Sequence, residues 1–178
     1  MRFAIPLVSL AASMTLGVAA HAQTYRVPMQ LVGASGNLES VGTVTITESA
    51  KGVVFTPALR KLPPGLHGFH VHEKPSCDPG VDPEKNKPAA ARAAGGHLDP
   101  KSSGRHEGPA GNGHLGDLPA LTVNNDGVAD TPVVAQRIKL SDLPGHALMI
   151  HAGGDNYADS PEKLGGGGDR IACGVIQK

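Results

Sequence analysis

The chain of 178 residues has no tryptophan, three phenylalanines, two tyrosines and no extended run of lysine or arginine. A nucleic-acid surface needs a basic face or stacking aromatics, so nucleic acid is not an expected partner. Acidic and basic residues balance at 16 each; without Arg2 the remainder carries 15 basic against 16 acidic residues, a net charge of −1. Long apolar runs are absent after the N-terminus. The single one, "MRFAIPLVSLAASMTLGVAA", has one positive charge at Arg2 and leads into the small-x-small "AHA" of Ala20 to Ala22. That is the layout of a secretory signal peptide. Cleavage after about Ala22 is expected, leaving one mature domain over 23–178. No cysteine stands near the cleavage point, so no lipid anchor and no membrane association are expected of the mature chain.

Cysteine is equally scarce: Cys77 and Cys173 are the only two. In an exported protein such a pair is expected to be a disulfide rather than two free thiols. A bridge closing so long a loop constrains the unfolded chain by about 4–5 kcal/mol in a chain-entropy model.

What is abundant is glycine (24) and proline (15), which favours turns over long helices. In "YRVPMQLVG", Tyr25, Val27, Met29 and Leu31 share one parity. "VGTVTIT" (41–47) and "GVVFTPAL" (52–59) are short and β-branched, and further strands are expected at 65–72, 118–123, 128–136, 146–151 and 170–176. "NNDG" (124–127) is a turn signal. Only "PAAARAA" (88–94) could form a helix. The pattern predicts an all-β, antiparallel sandwich or barrel. Two long segments, about 73–117 and 153–169, resist a strand reading; loops of that length in a compact domain are usually functional.

Those loops hold or border most of the histidines. In "GLHGFHVHE" (65–73), strand alternation sends Phe69 and Val71 to the core and His70 and His72 together to the outer face, where two imidazoles can share a metal ion. His67 has the other parity and reads as a packing histidine. In "HALMIHAGG" (146–154), Leu148 and Ile150 are core-facing and His151 points outward, while His146 is incidental. Between them "GGHLDPKSSGRHEGPAGNGHLGD" (95–117) carries His97, His106, His114 and Asp117. Three imidazoles and a carboxylate make a complete tetrahedral shell for Zn²⁺. A closed shell is structural, not hydrolytic.

Taken together, "GFHVHE", "SCDPG", "AAGGHLDP", "GNGHLGDLP", "MIHAGGDNY" and "GGGGDRIACGVI" resemble the copper/zinc superoxide dismutases, in particular the bacterial periplasmic branch, across essentially all of 25–178. The resemblance implies a Greek-key antiparallel barrel of eight strands, a sandwich of immunoglobulin-like kind with two long functional loops. It implies periplasmic location, copper and zinc ions as cofactors, and superoxide as substrate. It assigns His70, His72, His97 and His151 to copper and His97, His106, His114 and Asp117 to zinc, with His97 bridging the two and taking up a proton during turnover. Arg170 matches the active-site arginine. Asp155, four residues after His151, matches a carboxylate bonding both His70 and His106. Cys77 and Cys173 match the family disulfide, and His67 a structural histidine.

Lys163 and Lys74 are candidates to join Arg170 in attracting an anion. Asp169 would oppose that field if it faced the site, and strand alternation turns it away. A periplasmic copper/zinc buffer without activity needs the same ligands but neither Arg170 nor a bridging His97. A zinc hydrolase would need an open zinc and a general base, and HExxH is absent. A structural or adhesion β-sandwich would not need seven metal-type ligands. The sequence leaves a homodimer possible and names no copper donor.

Overall fold

The computed structural model describes residues 23–178; the expected signal peptide lies outside them. The described residues form strands β1 (Thr24–Gly33), β2 (Gly36–Ser49), β3 (Gly52–Leu59), β4 (Gly65–His67), β5 (Phe69–His72), β6 (Gly80–Asp82), β7 (Lys87–Ala89), β8 (Leu121–Val123), β9 (Val133–Ala135), β10 (His146–His151) and β11 (Arg170–Ile176). Short 3-10 turns cover Arg92–Ala94, Leu140–Asp142 and Lys163–Gly166. Seven strands make one antiparallel sheet in the order β5-β10-β11-β1-β2-β3-β9, and β4 pairs with β8. β4 and β5 are one strand interrupted at Gly68. Its first half pairs with β8 and its second half with β10, which curls the sheet toward closure. Counted so, and with the β6–β7 ribbon set aside, the barrel has the expected eight antiparallel strands.

The period-2 pattern sets the core. Val27, Met29, Val44, Ile46, Val53 and Phe55 alternate with partly or fully exposed neighbours and are buried. Phe55 and Phe69 meet edge to face at 5.7 Å. The scarcity of aromatics leaves the rest of the filling to Leu, Ile, Val and Met.

Four details depart from the sequence reading. Residues 88–94 are not a helix: they divide into β7 and a 3-10 turn, with Ala91 between them at φ 50. Two turns cannot offset helix nucleation. The first long loop is not free of strands, because β6 and β7 form a hairpin inside it. The strand expected over 118–123 begins only at Leu121, past Pro119. The strand expected over 128–136 shortens to Val133–Ala135, past Pro132, and Ala129 keeps an isolated bridge to Leu59. A proline cannot donate to a ladder.

Candidate metal centre

β5 places alternate side chains on opposite faces. Phe69 and Val71 enter the core; His70 and His72 leave it, yet both are fully buried. The outward face is therefore covered, and the two long loops cover it. Isolated bridges tie His70 to Asp117 and His72 to His97 through the backbone, so the first loop is laid along β5. Gly116 allows this approach, because a Cβ there would stand 2.2 Å from the Val71 carbonyl oxygen. On β10, His151 has the parity opposite to Leu148 and Ile150. A register irregularity after Ile150 sets it across from Arg170 on β11.

The side chains gather into two donor groups, His70–His72–His97–His151 and His70–His97–His106–Asp117; within each, one ligand atom from every residue lies within 4.8 Å of the others. His114 joins the second group at its Asp117 end, with Nδ1 3.4 Å from Oδ1. Asp117 Oδ1 also lies 2.9 Å from His97 Nδ1. That leaves His97 Nε2 for the other group, so His97 belongs to both.

Hydrogen bonds orient the rings. His72 donates its Nδ1–H to Gly95 O at 3.0 Å, and His151 donates its Nδ1–H to Gly168 O at 3.3 Å. Each ring then directs an Nε2 lone pair inward, and the two Nε2 atoms stand 3.4 Å apart. Asp155 accepts Nε2–H from His70 on Oδ2 and from His106 on Oδ1, both at 2.8 Å. This frees both Nδ1 atoms for a ligand. His70 Nδ1, His106 Nδ1, His114 Nδ1 and Asp117 Oδ2 are buried without a hydrogen-bond partner. Buried polar atoms are rarely left so. His106 Nδ1 and Asp117 Oδ2 stand 3.0 Å apart without forming a well-aligned bond; buried donors converging in this way are the requirement of bound cations, and imidazole and carboxylate donors suit copper and zinc. Gly165, at φ 72, makes room for Asp155: a Cβ there would stand 2.0 Å from Oδ1.

Burial sets the charge states. Desolvation pushes the pKa of His70, His72 and His151 below the ordinary imidazole value and that of His97 to about 3. These rings are neutral ligands at neutral pH. Burial acts the same way on His106, but the Asp117 and Asp155 carboxylates outweigh it and raise its pKa to about 9. Burial likewise opposes ionisation of Asp117 and Asp155, and their histidine partners prevail, holding both below the usual carboxylate range.

A cleft of about 460 Å³ opens beside the first group, bordered by His72, His97, His151, Lys163 and Arg170. Arg170 donates to Ala91 O at 2.5 Å and Gly95 O at 2.6 Å. Gly95 O thus takes both the Arg170 guanidinium and the His72 ring. Lys163 borders the cleft, and Lys74 does not. Asp169 turns away: its side chain is 82% exposed, with Lys85 Nζ 3.6 Å distant. His67 is buried, its ring nitrogens 2.7 Å from His151 O and 2.8 Å from Pro63 O, and His146 sits apart against Glu73 O. Cys77 and Cys173 are disulfide-bonded, fastening the first loop to β11.

Sequence reasoning missed Arg92 and Glu84, which also border the cleft. Arg92, in the 3-10 turn after β7, is ion-paired to the buried carboxylate of Asp82 on β6, within the segment expected to be a long functional loop without strands. The β6–β7 pairing, had it been legible, was the signal that could have placed them.

The family described as copper/zinc superoxide dismutase matches residues 40–176. The superoxide dismutase [Cu-Zn] of Escherichia coli K12 is 52% identical over 177 residues, covering 99% of both chains. The structure of Cu/Zn superoxide dismutase from Brucella abortus superposes with a TM-score of 0.84 at 49% identity, over 87% of this chain and 100% of that one. The solution structure of the monomeric copper, zinc superoxide dismutase from Salmonella enterica gives 0.77 at 56% identity, over the same shares.

Proposed function

The chain belongs to the copper/zinc superoxide dismutase family, and from that membership we propose how its own residues convert two superoxide anions and two protons into oxygen and hydrogen peroxide. The observation that carries the reading is the pair of donor groups beside Arg170 that share His70 and His97, of which His97 alone has a nitrogen for each group. When bound, copper supplies one-electron exchange at His70, His72, His97 and His151, and zinc supplies fixed positive charge at His97, His106, His114 and Asp117.

Arg170 draws the anion into the cleft and holds it, its guanidinium kept in place by the Ala91 and Gly95 carbonyls. A fixed cation in a partly desolvated cleft stabilises a small anion far better than one in open water. Lys163 adds to the field at the rim. Asp169 is directed toward Lys85 and subtracts little. His97 holds and delivers a proton at Nε2, because Nδ1 is committed on the Asp117 side and the ring returns to one position each time. His67 braces the His151 backbone, and Asp155 ties the two donor groups together.

The apolar leader of residues 1–22 and the disulfide together favour export to the periplasm, with the mature chain running over 23–178. The Salmonella enterica relative is described as monomeric, which favours a monomer here; sedimentation velocity distinguishes it from the homodimer that the sequence leaves open.

The reading is tested on exported protein by metal analysis and superoxide decay, with and without a copper chelator. Near-stoichiometric copper and zinc with rapid decay, lost on copper removal, is the expected result. Bound metal without rapid decay would mean that the chain buffers metal.

A further inference from the structure

The two halves of the proposed zinc shell are held in different ways. His97 and Asp117 are bridged to β5 through the backbone, so the barrel itself fixes them. His106 and His114 come from an irregular turn, "HEGPAGNGH", that belongs to no strand. Its internal ties are few: His114 N–H donates to Arg105 O at 2.9 Å, and Asn112 N–H to Glu107 Oε2 at 2.8 Å. Such a turn does not keep two ligands at a fixed separation unaided.

The second loop holds its first end, where His106 N–H donates to Asp159 Oδ2 at 2.9 Å and His106 Nε2–H to Asp155 Oδ1 at 2.8 Å; Arg137 supplies the tie to the barrel. One Nη1 bond reaches Gly108 O at 3.1 Å, and Nη2 reaches Gly113 O at 2.8 Å and His114 O at 3.2 Å. None of the turn's backbone hydrogen bonds ends on those three carbonyls, so the guanidinium satisfies groups that would otherwise lack a protein donor. The planar fork thereby grips the turn near both ends, two residues after His106 and at His114 itself. Its own footing is firm. Arg137 lies just beyond β9, between Ala135 and Ile138, which are both buried in the barrel core.

We propose that Arg137 is a positioning residue for zinc: it fixes the His106–His114 turn to the barrel, so that half of the zinc shell is preformed before the ion arrives. Preorganisation raises affinity by removing the ordering cost of binding, and residues that orient ligands typically carry about 10–100-fold in metal affinity. The effect is selective. Among the proposed copper ligands, His70, His72 and His151 stand on β5 and β10 and His97 is bridged to β5, so none depends on this turn. Lysine cannot replace the arginine fully, because an ammonium lacks the planar fork that spans both ends.

The inference rests on the zinc assignment above, and the experiment separates the two. Zinc affinity and zinc release rate are measured by chelator competition on the wild type, Arg137→Met, Arg137→Lys and His114→Ala, alongside copper affinity. The visible spectrum of cobalt(II) loaded in place of zinc reports the geometry of the site. Arg137→Met is expected to bind zinc about 10-fold or more weakly, release it correspondingly faster, broaden the cobalt spectrum and leave copper affinity unchanged, with Arg137→Lys intermediate. Wild-type zinc affinity in Arg137→Met, or an equal loss of zinc and copper, overturns the proposal. If Arg137→Met does not fold, Arg137→Lys is judged by the same split. Wild-type zinc affinity in His114→Ala refutes the zinc assignment itself, whatever Arg137 does.

Discussion

The carboxylate of Asp155 accepts the Nε2–H of His70 at 2.8 Å, with both side chains fully buried. The other carboxylate oxygen does the same for His106. One residue of the second loop therefore sets ring orientation in both donor groups. Asp155→Ala should lower affinity for copper and for zinc together, each by about 10–100-fold, as read by competition with chelators of graded strength. Loss of one metal alone would show that the carboxylate serves a single site.

Of the two residues that both donor groups contain, His70 and His97, only His97 offers a ring nitrogen to each side, because Asp155 takes His70 Nε2. Its removal should act on both ions where loss of His114 acts on zinc. His97→Ala is therefore expected to bind zinc more weakly and to lose most of its dismutase activity, measured on protein reloaded with both metals. Unchanged zinc affinity together with unchanged activity would refute the bridge.

The strands and the ligand types were legible from residue alternation, and the reason is physical. Phe69 and Val71 must face a core, so His70 and His72 cannot. Leu148 and Ile150 place His151 in the same way. What alternation could not give was the covering of those histidines, which are buried because loops from distant positions close over them. The resemblance supplied Asp155 and Arg170, whose hydrogen bonds span 85 and 79 residues and leave no local period. The β6–β7 hairpin was missed because charged residues and proline fill most of it and no apolar alternation marks it. Arg137 escaped for a similar reason: it donates to carbonyls, and every residue has one.

Arg170 and His151 are paired across β11 and β10, and the guanidinium shares the Gly95 carbonyl with His72. Arg170→Ala is expected to lower activity by about 10-fold or more, within the range of steering and charge stabilisation by a fixed cation. Its rate should also depend less on ionic strength, since salt screens the attraction that the variant lacks. Copper content should stay intact, because His72 keeps the Gly95 acceptor. Stopped-flow superoxide decay across a salt series checks this, and loss of bound copper instead would make Arg170 a structural support of His72.

Metal-free protein offers a test that no ion can mask. His70, His72, His97 and His151 have pKa values lowered chiefly by burial. Each then contributes stability that is fully present above the ordinary imidazole value of about 6.5 and is lost as pH falls toward the folded value. For His97 that value is about 3, so the loss runs from about 6.5 downward. Asp117 and Asp155, held low by their histidine partners, act in the same direction at still lower pH. His106 runs the other way. Raised to about 9, it contributes stability that is full below about 6.5 and is lost as pH rises through 9. The chelated protein should therefore be most stable near neutrality and fall away on both sides, with the steeper fall in acid, where four histidines must charge. Urea denaturation from pH 4 to 10 measures the profile. His106→Gln should flatten the alkaline limb and leave the acid limb in place. An acid limb that is flat between pH 7 and 4 would mean that these rings are not buried as neutral ligands in the metal-free protein.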